Sequence, residues 1–337
     1  MNKRGNSAKY SVAPAYHREW NRRNADMDKP RCVLPPDRGW GANLAAWDRA
    51  YTPSTCVPSV EPFLNDYAER SAAARRLLPW RAWSYGPTLA ERLHFFSALG
   101  PAAPLLVFIH GGFWQELSEA ESSFAAPDLV ARGAAFAALG YGLAPEHRLD
   151  EIVAMVRRGV LWLRRHAAAL GVDPERIVLA GSSAGAHLAA MCLVEGWLPP
   201  PLRVRDLACA AVLLSGIYEL EPLCHTSIGQ GIGLSAGEAA RNSPARLVHP
   251  GMPALLVARG DNETVAFADQ QEHFVAALAR AGERVDDLVI PGRNHFDLPL
   301  GLGVAADPLG RAVLAHLGLT ADIRVAGTSA ESPCAPS

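Results

Sequence analysis

From about residue 81 onwards the chain alternates short apolar runs with longer amphipathic ones. The runs 105–109, 134–139, 177–180, 210–214, 254–258 and 285–290 have strand-like length and are mostly free of charge, as expected for strands buried on both faces. Between them, residues 118–132, 149–170, 184–195 and 264–281 repeat apolar positions at helical spacing. Such alternation predicts an α/β fold, a mostly parallel central sheet with helices on both faces. Residues 1–80 follow another pattern. They are irregular and rich in Pro, Arg and Trp (Trp20, Trp40, Trp47, Trp80), with one helical patch at 60–78, and read as an N-terminal arm and cap on a main domain at 81–318. The Pro-rich stretch 196–206 reads as a helix-to-strand connection, not a domain break. The polar, Pro- and Ser-rich tail 319–337 is expected to be disordered.

Composition narrows the class of partner. The 337 residues carry 32 Lys+Arg against 34 Asp+Glu, a formal net charge of −2. No excess of cations is available to neutralise a phosphate backbone, which argues against nucleic acid as a partner. Cys32, Cys56, Cys192, Cys209, Cys224 and Cys334 lie far apart without a C-x-x-C pair and read as reduced thiols. The basic N-terminus has no apolar core or cleavage site behind it, so a cytoplasmic protein without a membrane anchor is expected. Residues 177–194, about 18 uncharged positions with no acidic or basic side chain other than His187, reach the lower edge of a membrane span, but the GSSAG inside them argues for a turn.

That pentapeptide, Gly181-Ser182-Ser183-Ala184-Gly185, follows the strand-like RIVLA and precedes the helix-like AHLAAMCLV. G-x-S-x-G between strand and helix is the pattern of a nucleophile elbow, where small neighbours let the backbone bend sharply around the central Ser. Ser183 is the candidate nucleophile, expected on a surface-accessible turn. The strand LLVFI runs into His110-Gly111-Gly112-Phe113-Trp114 some seventy residues earlier, where an α/β-hydrolase carries its oxyanion loop. Gly111, Gly112 and the N–H of Ala184 are the candidate oxyanion donors, with Phe113 as an alternative by one residue. His110 is read as ordering the loop.

A Ser-acid-His order then points to His295, in the loop PGRNHFDL after VDDLVI, as the base. His187, His273 and His316 are read as packed or solvated. The acid lies in Arg259-Gly260-Asp261-Asn262-Glu263, with either Glu263 or Asp261 able to orient the imidazole. Phe113 and Trp114 are candidates to wall an acyl pocket or to pack the core, and Tyr218 is a weaker pocket candidate.

The segments HGGFW, YGLAPEHRLDEIV, GSSAGAHLAAM, SGIYELEPL and NHFDL together resemble the kynurenine formamidase (arylformamidase) branch of the α/β-hydrolases over about residues 80–318. WSYGPTLAERLHFF resembles that family's approach to its first strands. In the family the acid precedes a helix bearing a Phe and a Gln. Counting back from Phe267 and Gln270 favours Glu263, while the family's usual Asp keeps Asp261 open. The resemblance implies hydrolysis of a small acyl-aryl-amide such as N-formyl-kynurenine through an acyl-enzyme, with no metal or organic cofactor. The rival within this chemistry is a carboxylesterase or aryl-acylamidase acting on another acyl group. From another class, the rival is a non-catalytic ligand receptor on the same scaffold. Oligomeric state and the role of the basic arm stay open.

Overall fold

The structure is a computed structural model and describes residues 43–319. Among them, β1 (Trp80–Ser84), β2 (Arg92–Phe96), β3 (Ala103–Ile109), β4 (Ala135–Leu139), β5 (Val172–Ser182), β6 (Ala210–Leu214), β7 (Ala254–Asn262) and β8 (Val285–Asn294) form one sheet in the order β1-β2-β4-β3-β5-β6-β7-β8. The strands from β4 to β8 in that order are parallel. β1 and β2 pair antiparallel with each other, and β2 pairs antiparallel with β4. Helices α1 (Leu44–Tyr51) and α2 (Glu61–Leu77) precede the sheet. α3 (Ala126–Ala131), α4 (Leu149–His166), α5 (Ala184–Cys192), α6 (Val204–Leu207), α7 (Ser227–Gly231), α8 (Ala236–Arg241), α9 (Val265–Arg280) and α10 (Pro308–His316) follow in the chain.

The strand periodicity of two divides the core between the sheet faces. Leu105, Val107, Ile109, Leu179, Leu213 and Val257 point to one face, where they pack with residues of α4, α5 and α9. Leu106, Phe108, Val178, Val212, Leu214 and Leu256 point to the other, against α2, α3 and α10. Both sets are buried, which explains why the central strands read as unbroken apolar runs.

Several boundaries differ from the sequence expectation. Residues 118–132 do not form one helix. Ser118 caps a short 3-10 turn at Glu119–Glu121, and α3 begins separately with Pro127 in its first turn, where the missing proline N–H costs no helical bond. β1 and β2 carry too little alternation to stand out, since β1 is largely exposed. The segment 219–241 contains the short helices α7 and α8. β7 and β8 run past their apolar parts: after a register shift between Gly260 and Asn262, Asn262 pairs with Asn294. A Cβ on Gly260 would collide with the Arg293 carbonyl, so a glycine is what lets the two strand ends approach. Consequently residues 263 and 295 emerge side by side. The basic residues before position 43 and the tail from 320 lie outside the described residues. Cys192, Cys209 and Cys224 are free thiols, and among the described residues no helix is long and apolar enough to cross a membrane.

Candidate active site

β5 ends at Ser182 and α5 begins at Ala184, so Ser183 alone makes the turn. It does so at φ 58° and ψ −121°, a left-handed conformation costing a non-glycine residue about 1–3 kcal/mol. The turn is held by its neighbours: Ser183 N donates to Leu214 O on β6 (2.8 Å), and the amides of Ala186 and His187 donate back to Ser183 O. Ser183 is only 6% exposed, more enclosed than the open turn expected. The reason is the glycine loop after β3, which lies directly against it. A Cβ on Gly111 would stand 2.8 Å from Ser182 O and 3.1 Å from Ser183 Cβ.

That loop is itself contorted. Gly112, Phe113 and Trp114 follow one another at φ 91°, 50° and 61°, and Gly112 O accepts from the amides of Gln115 and Glu116. His110 is buried and stacks on Tyr141 with centroids 4.1 Å apart, while its Nδ1 lies 3.0 Å from Gly111 O. Tyr141 OH donates to His110 O. Burial pushes the His110 pKa down to about 4, so the ring is neutral and orders the loop. His187, one turn after Ser183, is likewise buried and lowered to about 4 by desolvation. Its Nε2 donates to Asn242 O (2.7 Å), and its Nδ1 accepts from the Trp114 indole N–H (3.3 Å). Trp114 is 0% exposed, and Tyr218, 1% exposed, stacks on Phe274. Both serve here as packing groups, leaving Phe113, half-buried, as the only one of the three proposed pocket residues with appreciable exposed surface.

The two candidate acids separate clearly. Glu263 follows β7 and its Oε2 lies 2.8 Å from His295 Nδ1, with both side chains buried. Its Oε1 accepts from Ser215 Oγ (2.6 Å) and from Gly260 N (2.8 Å). Asp261 instead accepts from Gly292 N in the β7–β8 region (2.8 Å) and is exposed. His295 therefore carries its proton on Nδ1, facing the carboxylate, and its lone pair on Nε2. Phe267 and Phe296 meet the imidazole edge to face. Of the other histidines, His316 pairs with Asp286 and His273 is exposed on α9.

Residues of α1, α2 and the turn between them bond to this group. Tyr67 OH donates to Phe296 O, Thr264 Oγ1 to Ala50 O (2.5 Å), and Asn262 Nδ2 to Cys56 O. Gln270 uses its whole amide: Oε1 accepts from the amides of Tyr218 and Glu219, and Nε2 donates to Tyr51 OH and Glu219 O. The 219–241 segment is tied to α4 and the residue before it by Arg148–Glu238 and by Asp150 with Arg241 and Asn242. Sequence reasoning missed Ser215. Its only signal was the SG step after a strand, which does not say what the hydroxyl meets.

Residues 97–196 match the BD-FAE family model. The kynurenine formamidase of Danio rerio is 35% identical over 221 residues, 64% of this chain and 73% of that protein. Among solved structures, a putative thioesterase from Silicibacter sp. TM1040 superposes with a TM-score of 0.71 at 29% identity, covering 80% of this chain and 98% of that one. A thermophilic esterase from Thermogutta terrifontis gives 0.56 at 25% identity over 70% of this chain and 89% of its own. With that likeness joined to the sheet order and the glycine-flanked elbow, the chain belongs to the kynurenine formamidase family of α/β-hydrolases and is a hydrolase of amide or ester bonds.

Proposed function

We propose that the protein is a serine hydrolase that cleaves a small N-acyl aryl amide of the N-formyl-kynurenine type through an acyl-enzyme. The observation that carries the mechanism is the 2.8 Å bond from His295 Nδ1 to Glu263, beyond the ends of β7 and β8, strands parallel to β5, whose end carries Ser183. With Nδ1–H committed to the carboxylate, Nε2 takes the proton of the Ser183 hydroxyl as it attacks the acyl carbon. The tetrahedral oxyanion is received by main-chain N–H groups of the Gly111–Gly112 loop and of Ala184, whose amide lies in the first turn of α5 and has no acceptor within the helix. Nε2–H then protonates the leaving amine, and a water activated by the same imidazole releases the acid. Glu263, not Asp261, is the orienting acid. The free thiols of Cys192, Cys209 and Cys224 suit a reducing compartment and support a cytoplasmic site of action.

The formyl amide is favoured by the 35% identity to the Danio rerio kynurenine formamidase. An ester is the second reading, favoured by the superposition on the Thermogutta esterase. Measuring kcat/KM for N-formyl-kynurenine, short p-nitrophenyl esters and N-acetyl anilines decides between them. The formamidase reading expects the formyl amide to be preferred, and a preference of several orders of magnitude for the esters or acetanilides contradicts it.

A further inference from the structure

Ser215 stands at a place no step above uses. It is the first residue after β6, the strand between the one that delivers Ser183 and the one that delivers Glu263. Its backbone is left-handed at φ 48°, an uncommon conformation for a serine. Its amide donates to Ala258 O on β7 (2.8 Å), as Ser183 N donates to Leu214 O on β6. The side chain is 2% exposed, and its hydroxyl donates to Glu263 Oε1 at 2.6 Å. Gly260 N donates to the same oxygen at 2.8 Å.

We infer that Ser215 is a positioning residue: its hydroxyl, with the Gly260 amide, fixes one oxygen of Glu263 so that the other is held on His295. The inference rests on the reading of Glu263 as the acid and explains how a glutamate serves there. Glu has one more methylene than Asp and one more torsion to restrain. A carboxylate anchored only at the imidazole could rotate about its terminal bonds and take the imidazole with it. Two donors on Oε1 leave Oε2 a single direction, and short hydrogen bonds to an ionised acceptor are the strong kind. The left-handed turn at Ser215 is what aims the hydroxyl from β6 across to β7. It also gives a chemical role to the first residue of SGIYELEPL.

The test is kinetic. Ser215→Gly removes the hydroxyl while suiting the positive φ, so it spares the backbone, and Ser215→Ala provides a second variant of the same loss. Both are compared with wild type in kcat and KM, and each is repeated in a Glu263→Ala background. The expected result is a fall in kcat of roughly ten- to a hundredfold, the usual scale for one hydrogen bond to a charged group, with KM little changed and no further loss once Glu263 is absent. A Ser215→Gly enzyme with wild-type kcat, or an equal fractional loss in both backgrounds, overturns the inference while leaving the Glu263 assignment standing. A Glu263→Ala enzyme at wild-type rate overturns that assignment and the inference with it.

Discussion

At the residue scale the site rests on which carboxylate meets His295, and the two candidates differ by two positions in sequence and completely in surroundings. Glu263 is enclosed and accepts from three donors, whereas Asp261 is exposed and accepts from one backbone amide. Glu263→Gln keeps the shape but leaves the imidazole facing an uncharged amide, so kcat is expected to fall by roughly a thousandfold or more. Asp261→Asn retains an acceptor for Gly292 N and should stay within about threefold of wild type, since exposed substitutions have small effects. Steady-state kinetics on both variants check this. Equal, small losses would place the acid elsewhere. The sequence singles out Ser183 and the glycine loop by the small residues that follow their strands, and His295 by its place after the last strand-like run in a Ser-acid-His order. It left the acid open because residue type cannot say which of two neighbours turns inward.

At the element scale, the decisive feature is the extension of β7 and β8 beyond their apolar runs. The runs 105–109, 134–139, 177–180, 210–214 and 254–258 were legible because strands buried on both faces have nowhere to place charge, while 285–290, an edge strand with two Asp, was legible only from its place in the alternation. The polar extensions RGDN and PGRN were not, because their pairing depends on one glycine permitting close approach, a property of two strands at once. The same holds for 118–132, where helical spacing spans two separate turns, and for β1, whose exposed residues give no pattern. Gly260→Ala would press a methyl into the Arg293 carbonyl. It is expected to cost about 3 kcal/mol of stability and to lower kcat strongly by parting Glu263 from His295. Gly171→Ala, at φ 75° with nothing within 4 Å, should cost only about 1 kcal/mol and leave kcat unchanged. Urea denaturation with parallel kinetics separates the two. A Gly260→Ala enzyme with normal kcat would contradict the role given to the strand ends.

At the scale of the whole molecule, three neutral histidines tie stability to pH. His94 on β2, His110 after β3 and His187 on α5 are each lowered from 6.5 to about 4, mainly by burial. A folded-state pKa below the unfolded value means the unfolded chain binds these protons first. The stability is full above about pH 6.5 and drains as pH falls towards 4. The urea midpoint should fall steadily from pH 7 to pH 4.5, with a slope steep enough for more than one proton, and a constant midpoint would contradict the neutral burial of these rings. α1 and α2 bond to Ser227, Thr264, Gln270 and Phe296, contacts between segments some 180 to 230 residues apart that no local pattern reveals. The central claim is that such distant segments converge to make Ser183 a nucleophile. Reaction with a fluorophosphonate followed by peptide mass spectrometry tests it most directly. The account predicts one adduct, on the peptide carrying Ser183, lost in Ser183→Ala while the circular dichroism spectrum is unchanged. An unreactive wild-type protein, or equal labelling of the Ser183→Ala variant, would contradict it.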